Sequence, residues 1–297
     1  MDDHPSGYSQ ETGGQNPAYR STHRHTFSIT SHPNCSFTPI GFETKWCNSL
    51  DVGVSSVKPI PPKLSLMIIN GVEITKEADL AGVNLSHTDL RSLDLSETWL
   101  GGALFNFSDL TGARMVGTSL RHAICQSAIF AKADLRFANL WNADLTEAQF
   151  QEANMSRSWC GNARLLKSDL SSTDLSGAWL TGANLTSASL TQATLAGTVL
   201  SRTCLHEADL TGSFASGADF RGAILNGAIF RSANLSGAIF TGASLIGVDF
   251  SGADLINTDL TNAQIQYATI DNVRHDDTTM WPQNYIPPPS VRLTRHE

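Results

Sequence analysis

One hydrophobic position in every five organises the sequence from residue 80 to residue 270. These 39 positions hold 25 Leu, 7 Phe, 2 Met, 2 Ile, 2 Cys and 1 Ala, and the residue two places before each is nearly always Ala, Thr or Ser. An α-helix would spread a five-residue repeat around its axis, and a flat strand would place alternate repeats on opposite faces. A coil with five-residue sides puts every repeat inside, so the pattern predicts a solenoid.

Units such as Ala183-Asn184-Leu185-Thr186-Ser187 have the form A-[D/N]-L-x-x. This pattern resembles the pentapeptide-repeat family, and it runs through residues 76–275 without a register slip. The resemblance implies an all-β fold, a right-handed quadrilateral β-helix with four units per coil. Residues 20 apart would then stack on one side, at about 4.8 Å per coil. Gly or Asn two places after the inward residue, as at Gly102 and Asn257, fits a corner that needs permissive backbone angles.

The segments outside the repeats have other roles. Residues 1–63 contain no Leu before Leu50 and seven of the eleven prolines, so we predict a disordered polar N-terminal segment. The apolar run of residues 64–69 ends at the turn pair Asn70-Gly71. This pattern predicts an N-terminal capping strand within residues 64–75. Residues 276–297 are predicted to form a C-terminal cap, with Trp281 folded over the last coil, and a loose tail from residue 287. Caps are needed because open stack ends expose core and unpaired backbone.

One unit departs from the pattern. At Phe214-Ala215 the alanine takes the inward position and the phenylalanine takes the outward one. Either the backbone bulges and turns Phe214 inward, or the coil has a cavity beside an exposed ring. The bulge is our prediction.

Charge and cysteine content narrow the class of protein. A formal net charge of −8 over 297 residues does not suit a protein that binds nucleic acid through a basic patch. The longest apolar run, residues 64–69, is too short for a membrane span, and the start of the chain predicts no Sec signal peptide. Five cysteines without framework spacing favour reduced thiols and a cytoplasmic location. Secretion into a host cell without a Sec signal is the alternative.

The sequence contains no recognisable catalytic chemistry. It has no glycine-rich phosphate loop, no histidine pair with metal spacing and no G-x-S-x-G, so we expect no catalytic residue, no cofactor and no metal. His87, His122 and His206 are isolated. A zinc site in the N-terminal segment is conceivable but matches no common module, and unstructured side chains are the simpler interpretation; its ligands would be His23, His25, His32, Cys35 and Cys47.

Four of the six tryptophans are predicted to share one side of the coils. That side carries Trp99, Trp141, Trp159 and Trp179 together with Arg121. Clustered exposed aromatic residues with arginine are typical of a binding hot spot, so we predict a partner-binding face. The alternatives are a ladder that only packs on itself, or a surface covered by the N-terminal segment.

Other surface residues give weaker indications. Three isoleucines lie on neighbouring sides of the coils near the C-terminal end: Ile224, Ile229 and Ile239. Two interpretations are open: a dimer contact, or scattered apolar residues on the surface. A homodimer through an end of the rod is one hypothesis for assembly.

We therefore interpret the chain as a non-enzymatic scaffold for protein–protein interaction, with delivery into a host cell as a narrower version. The resemblance offers an alternative, because some family members mimic DNA and protect topoisomerases such as gyrase. Residues 76–275 hold 19 acidic and 13 basic residues, but basic residues crowd the middle, where a mimic should be most negative. An unrecognised enzyme is the second alternative.

Overall fold

The structure is a computed structural model that describes residues 67–69, 72–74 and 78–290. The chain divides into two units, Met1–Pro59 and Ile60–Glu297. The first unit, and the whole of the predicted disordered segment 1–63, lie outside the described residues. In the second unit, β1 (Met67–Ile69) and β2 (Val72–Ile74) pair antiparallel. The predicted capping strand includes β1, whereas β2 was not predicted; Ile74 is buried with the core.

From residue 79 onward the chain winds into four-sided coils. The outward residue before each core position forms a parallel bridge with the residue 20 positions later, beginning with Asp79 and Trp99. Main-chain hydrogen bonds join the same coils, because Leu80 N–H donates to the Trp99 carbonyl at 2.7 Å and Trp99 N–H donates to the Ala78 carbonyl at 2.9 Å. Four five-residue sides per coil give the right-handed quadrilateral β-helix that the family resemblance implied.

Every corner of the repeat region uses the same tight turn. At almost every corner, the N–H after the turn donates to the carbonyl of the preceding core residue, as Ser108 does to Phe105 at 3.0 Å. The third turn residue, at each of the 39 corners from position 82 to position 272, has a φ of 54° to 71°, as in a type II turn. Glycine fills only 15 of these corners. At Phe107 the next coil helps to hold the turn, because its N–H donates to the Gln126 carbonyl at 3.0 Å.

The interior consists of stacked columns of side chains. The inward residues of the middle coils are at most 1% exposed. Phe130 stacks on Phe150 at 4.9 Å, and Phe220 stacks on Phe240 at 4.6 Å. Where threonine replaces the small alanine, its hydroxyl donates to a main-chain carbonyl, either in the neighbouring coil, as Thr173 does to Phe150 at 2.7 Å, or in its own coil, as Thr98 does to Leu95 at 2.6 Å. The columns are therefore apolar without leaving these hydroxyls unpaired.

The predicted bulge at Phe214 is wrong. Phe214 keeps the regular bridges to Thr194 and Asn234, its side chain is 51% exposed, and Ala215 is buried in the inward position. A bulge would disrupt main-chain hydrogen bonds to both neighbouring coils, whereas an exposed ring forgoes only its own burial. The ladder therefore decides the conformation of this unit.

The last coil closes with one extra residue, because Asp259 pairs with Met280, 21 positions later. Trp281 packs against the core, with the His275 ring edge-on at 5.3 Å and the Tyr285 ring stacked at 5.3 Å. The prediction of a loose tail is wrong for its first residues, since the hydroxyl of Ser290 donates to the His275 carbonyl at 2.6 Å. Residues 291–297 lie outside the described part of the chain.

Candidate functional site

Three tryptophans share one column of the coils. Trp99, Trp159 and Trp179 each precede an inward residue, so the alternation of an extended side turns them outward. They are separated by multiples of 20 residues, and Trp159 bridges Trp179 directly. Their exposed fractions are 63%, 57% and 55%. We name this side of the coils the Trp face; it comprises residues 97–102 and the equivalent stretches at 20-residue steps up to 197–202.

Trp141 lies on the same face in a different way. It follows its inward residue, and its ring covers Gly161 of the next coil, where a Cβ would overlap the ring atoms. Its main-chain N–H donates to Asn139 Oδ1 at 3.1 Å, and the side chain is 37% exposed. The absence of a side chain at Gly161 lets the indole lie against the backbone, so Trp141 belongs to the packing as well as to the surface.

Arg121 borders a depression of about 560 Å³ beside Trp99. This Arg121 depression is lined by Glu97, Thr98, Trp99, Gly117, Ser119, Arg121 and Asn139. The side chains of Arg121 and Ser119 make no hydrogen bond or ion pair with any residue that the structure describes. Asn139 Oδ1 accepts from Trp141 N–H at 3.1 Å, so the side-chain amide N–H groups of Asn139 remain as donors. The depression therefore presents several hydrogen-bond donors beside an aromatic ring.

Sequence reasoning missed two residues at the edge of the Trp face. Phe137 occupies a corner with a φ of 59° and is 52% exposed. The guanidinium carbon of Arg157 lies 5.8 Å from the centre of the Phe137 ring, within cation–π range. The signal was available, because these two residues stand 20 apart and two places before Asn139 and Trp159.

The Trp face also differs in charge from the chain as a whole. Its five stretches 117–122, 137–142, 157–162, 177–182 and 197–202 contain no aspartate or glutamate, whereas the formal net charge of the chain is −8. The same stretches carry Arg121, Arg157 and Arg202. The face is thus a positively charged strip on an acidic protein, with Glu97 at its N-terminal edge.

The outward aspartates of the repeats have a structural role. In each of the thirteen, a carboxylate oxygen accepts from the main-chain N–H two residues later, as Asp169 does from Ser171 at 2.9 Å. Such Asx turns satisfy an N–H at the corner that has no ladder partner. The thirteen are Asp79, Asp89, Asp94, Asp109, Asp134, Asp144, Asp169, Asp174, Asp209, Asp219, Asp249, Asp254 and Asp259.

These hydrogen bonds change the acidity of several carboxyls. The side-chain hydrogen bond from Arg221 lowers the pKa of Asp219, although burial opposes this shift. At Asp144 burial raises the pKa, but hydrogen bonds from Thr146 and Gln126 outweigh it, so the pKa lies below its usual value. The folded chain therefore holds these groups ionised more firmly than the unfolded chain does.

We expect the free energy of unfolding to fall as the pH is lowered below about 4, near the ordinary carboxyl pKa. The pKa of these carboxyls is lower in the folded chain, so their contribution is complete above the unfolded-state pKa and is lost as they bind protons. Urea denaturation at pH 7 and pH 3 measures the loss. Asp219→Asn keeps the Oδ1 acceptor without the titration and should lose less; an identical loss would contradict the role of Asp219.

Other candidates from the sequence are not brought together. Ile224 is 48% exposed, whereas Ile229 and Ile239 are half-buried on other sides of the coils, so the three form no common surface.

The two cysteines at inward positions are buried. Burial raises the pKa of the Cys160 thiol to about 11, and burial also raises the pKa of the Cys125 thiol.

Within residues 67–69, 72–74 and 78–290 no group of three His, Cys, Asp or Glu side chains could hold a metal ion. The N-terminal histidines and cysteines considered for zinc lie outside these ranges. No helix in the described part of the chain is long and apolar enough to cross a membrane.

A family model for pentapeptide repeats matches residues 76–274 in overlapping segments, which is 199 of the 297 residues. The chain therefore belongs to the pentapeptide-repeat family. No curated protein sequence matches it.

Solved structures of pentapeptide-repeat proteins are similar to the chain. HetL, which is involved in heterocyst differentiation regulation in the cyanobacterium Nostoc sp. strain PCC 7120, is 27% identical, with 67% of this chain and 92% of that chain covered and a TM-score of 0.47. Rfr23 from the cyanobacterium Cyanothece 51142 is 32% identical over 38% of this chain and 63% of that chain, with a TM-score of 0.26. QnrB1, a plasmid-mediated fluoroquinolone resistance protein, is 17% identical over 68% and 93%, with a TM-score of 0.35.

Proposed function

We propose that this protein is a non-enzymatic scaffold that binds a protein partner through the Trp face. The observation that carries the proposal is that Trp99, Trp159 and Trp179 are each more than half exposed in one column of a hydrogen-bonded ladder. Aromatic rings held on a rigid support bury much area on binding and lose little conformational freedom. Membership of the pentapeptide-repeat family supports a repeat scaffold over an enzyme.

Replacing Trp159 with alanine should weaken partner binding about thirtyfold, the equivalent of roughly 2 kcal/mol for a hot-spot ring. Phe214→Ala is the matched control, because it also removes an exposed ring, from another side of the coils. Quantitative capture from cell extract with wild type, Trp159→Ala and Phe214→Ala, followed by titration of the captured partner, measures the effect. An unchanged set of partners with Trp159→Ala would refute the site.

The repeat allows a second test that keeps all four tryptophans. Deleting the unit 123–127 should turn Trp141, Trp159 and Trp179 by one side relative to Trp99 and Arg121, without interrupting the five-residue pattern. Deleting the equivalent unit 203–207, beyond the Trp face, is the control. We expect the first deletion to lose binding and the second to keep it, with unchanged circular dichroism for both. Equal binding would mean that these residues do not act as one surface.

The DNA-mimicking alternative has less support in the described residues. The outward aspartates are used in Asx turns, and several lie against arginines, as Asp134 does against Arg136 at 2.7 Å. The surface therefore mixes charges instead of presenting a continuous negative strip. A gyrase supercoiling assay, with and without a quinolone, tests the alternative. Protection at micromolar concentration would favour it over the scaffold proposal.

The location of the protein and its oligomeric state can each be tested. A cytoplasmic scaffold and a host-delivered effector differ in what residues 1–63 do, and a translocation reporter fused to these residues distinguishes them. Homodimer formation through an end of the rod is tested by sedimentation of the full chain.

A further inference from the structure

The three arginines of the Trp face are not equivalent. Arg157 lies over the Phe137 ring, and Arg202 occupies a corner with a φ of 59°. Arg121 stands beside its inward residue and borders the Arg121 depression, next to the exposed ring of Trp99. Its side chain has no hydrogen-bond or ion-pair partner among the described residues. Arg121 is therefore the cation of this face that is positioned to receive a ligand.

The groups around Arg121 suit one carboxylate. A guanidinium presents five N–H donors in a planar fork that matches the two oxygens of a carboxylate. The Ser119 hydroxyl and the Asn139 amide line the same depression and can add neutral donors. Glu97 lines it as well, and its negative charge opposes a second carboxylate. The arrangement favours a ligand with a single carboxylate on Arg121 and an adjoining apolar group packed on the Trp99 ring.

The rest of the face suits apolar side chains next to that carboxylate. Trp159 and Trp179 lie two and three coils beyond Arg121, roughly 10 and 14 Å away at about 4.8 Å per coil. In an extended peptide, side chains on one face repeat every 6.6 to 6.8 Å or so, so that four residues span about 14 Å. An acidic residue on Arg121 would therefore place the residue two positions along between Trp141 and Trp159, and the residue four positions along over Trp179.

We propose that the Arg121 depression binds a carboxylate of an extended partner segment, whose apolar side chains two and four residues away cover Trp141, Trp159 and Trp179. This inference rests on the proposed function and names the chemistry of the partner. Charge complementarity selects an acidic and apolar segment, since the face carries three arginines and no carboxylate across five coils. A second copy of the chain docked face to face would bring the two sets of arginines together, which disfavours it.

The test is selection of peptides from random twelve-residue libraries displayed on phage, with the full-length chain immobilised. One library displays internal peptides and the other displays peptides with a free C-terminus, which separates a side-chain carboxylate from a terminal one. Wild type should enrich a carboxylate two or four residues from Trp, Phe or Leu. Arg121→Glu should instead enrich Lys or Arg at that position. Lys167→Gln, an exposed cation on another side of the coils, is the control and should select as wild type does.

A synthetic peptide with the enriched sequence should bind Arg121→Gln about tenfold more weakly than wild type or Lys167→Gln. If Trp159→Ala loses the selected peptides while Arg121→Glu keeps their acidic preference, the carboxylate site is wrong and the Trp face function stands. If neither substitution changes the selected sequences, or no peptide rises above background, the carboxylate site is overturned. A loss of capture by Trp159→Ala in extract still upholds the proposed function in that case.

Discussion

Replacing Phe240 with alanine is expected to lower the free energy of unfolding by about 3–5 kcal/mol. The Phe240 ring is fully buried, stacks on Phe220 at 4.6 Å and meets Phe230 and Phe250 edge-on at 5.9 and 6.0 Å. Alanine would leave a cavity that cannot collapse easily, because the main-chain ladder holds the walls on all four sides at a fixed distance. Aromatic pairing would be lost in addition.

Urea denaturation followed by circular dichroism measures this loss. Phe214→Ala is the matched control, since that ring is 51% exposed and its removal should change stability by less than about 0.5 kcal/mol. Repeat arrays can unfold in stages, so hydrogen exchange in coils 220–250 provides a second measurement. Equal losses for the two substitutions would contradict the role of the aromatic columns.

Proline at position 189 should destabilise the chain by about 3 kcal/mol or more, whereas proline at position 191 should be tolerated. Ser189 N–H donates to the Ser168 carbonyl at 3.0 Å, and proline would remove this ladder bond. Thr191 is the first residue within the turn that Ala193 N–H closes on the Leu190 carbonyl at 3.1 Å. Proline is favoured at that place in type II turns, and the Thr191 N–H has no partner among the described residues.

The same replacement two residues apart therefore separates the ladder from the turn. Urea midpoints for Ser189→Pro, Thr191→Pro and Ser189→Ala measure the difference, with the alanine variant as the control for the lost side chain. The prediction fails if Thr191→Pro destabilises as much as Ser189→Pro does. The natural sequence agrees with the expectation, because it has no proline between Lys63 and Trp281.

Much of the candidate site could be predicted from the repeat together with the family resemblance, which implied four sides per coil. Trp99, Trp159 and Trp179 were expected to point outward on one side, because the period of five fixes which residues are inward and the coil of 20 fixes which residues align. The packing of Trp141 over Gly161 could not be predicted, since it depends on a side-chain rotamer chosen against the next coil. The Arg121 depression arises in the same way, from the sizes of side chains on three successive coils.

The errors have a common physical origin. Phe214 was expected to turn inward because burial of a large apolar ring stabilises the folded state. The structure keeps the ring outside, because its unit is hydrogen-bonded to a coil on either side. The tail was expected to be loose from composition, yet Ser290 bonds to the main chain of His275. In each case a hydrogen bond to residues distant in sequence decided the conformation, and the character of the residue itself did not predict it.

The sequence by itself determined which side chains fill the interior, because that depends only on an unbroken five-residue register. The resemblance to the family added the four sides per coil, and with them the side on which every outward residue stands. Tertiary structure decided the corners. Twenty-four of the 39 are not glycine, and residues such as Glu97 and Phe107 adopt a positive φ that their own backbone preferences disfavour. They adopt it because, in that conformation, their main-chain N–H donates to a carbonyl of the next coil. Stacked coils repeat this hydrogen bond at successive corners.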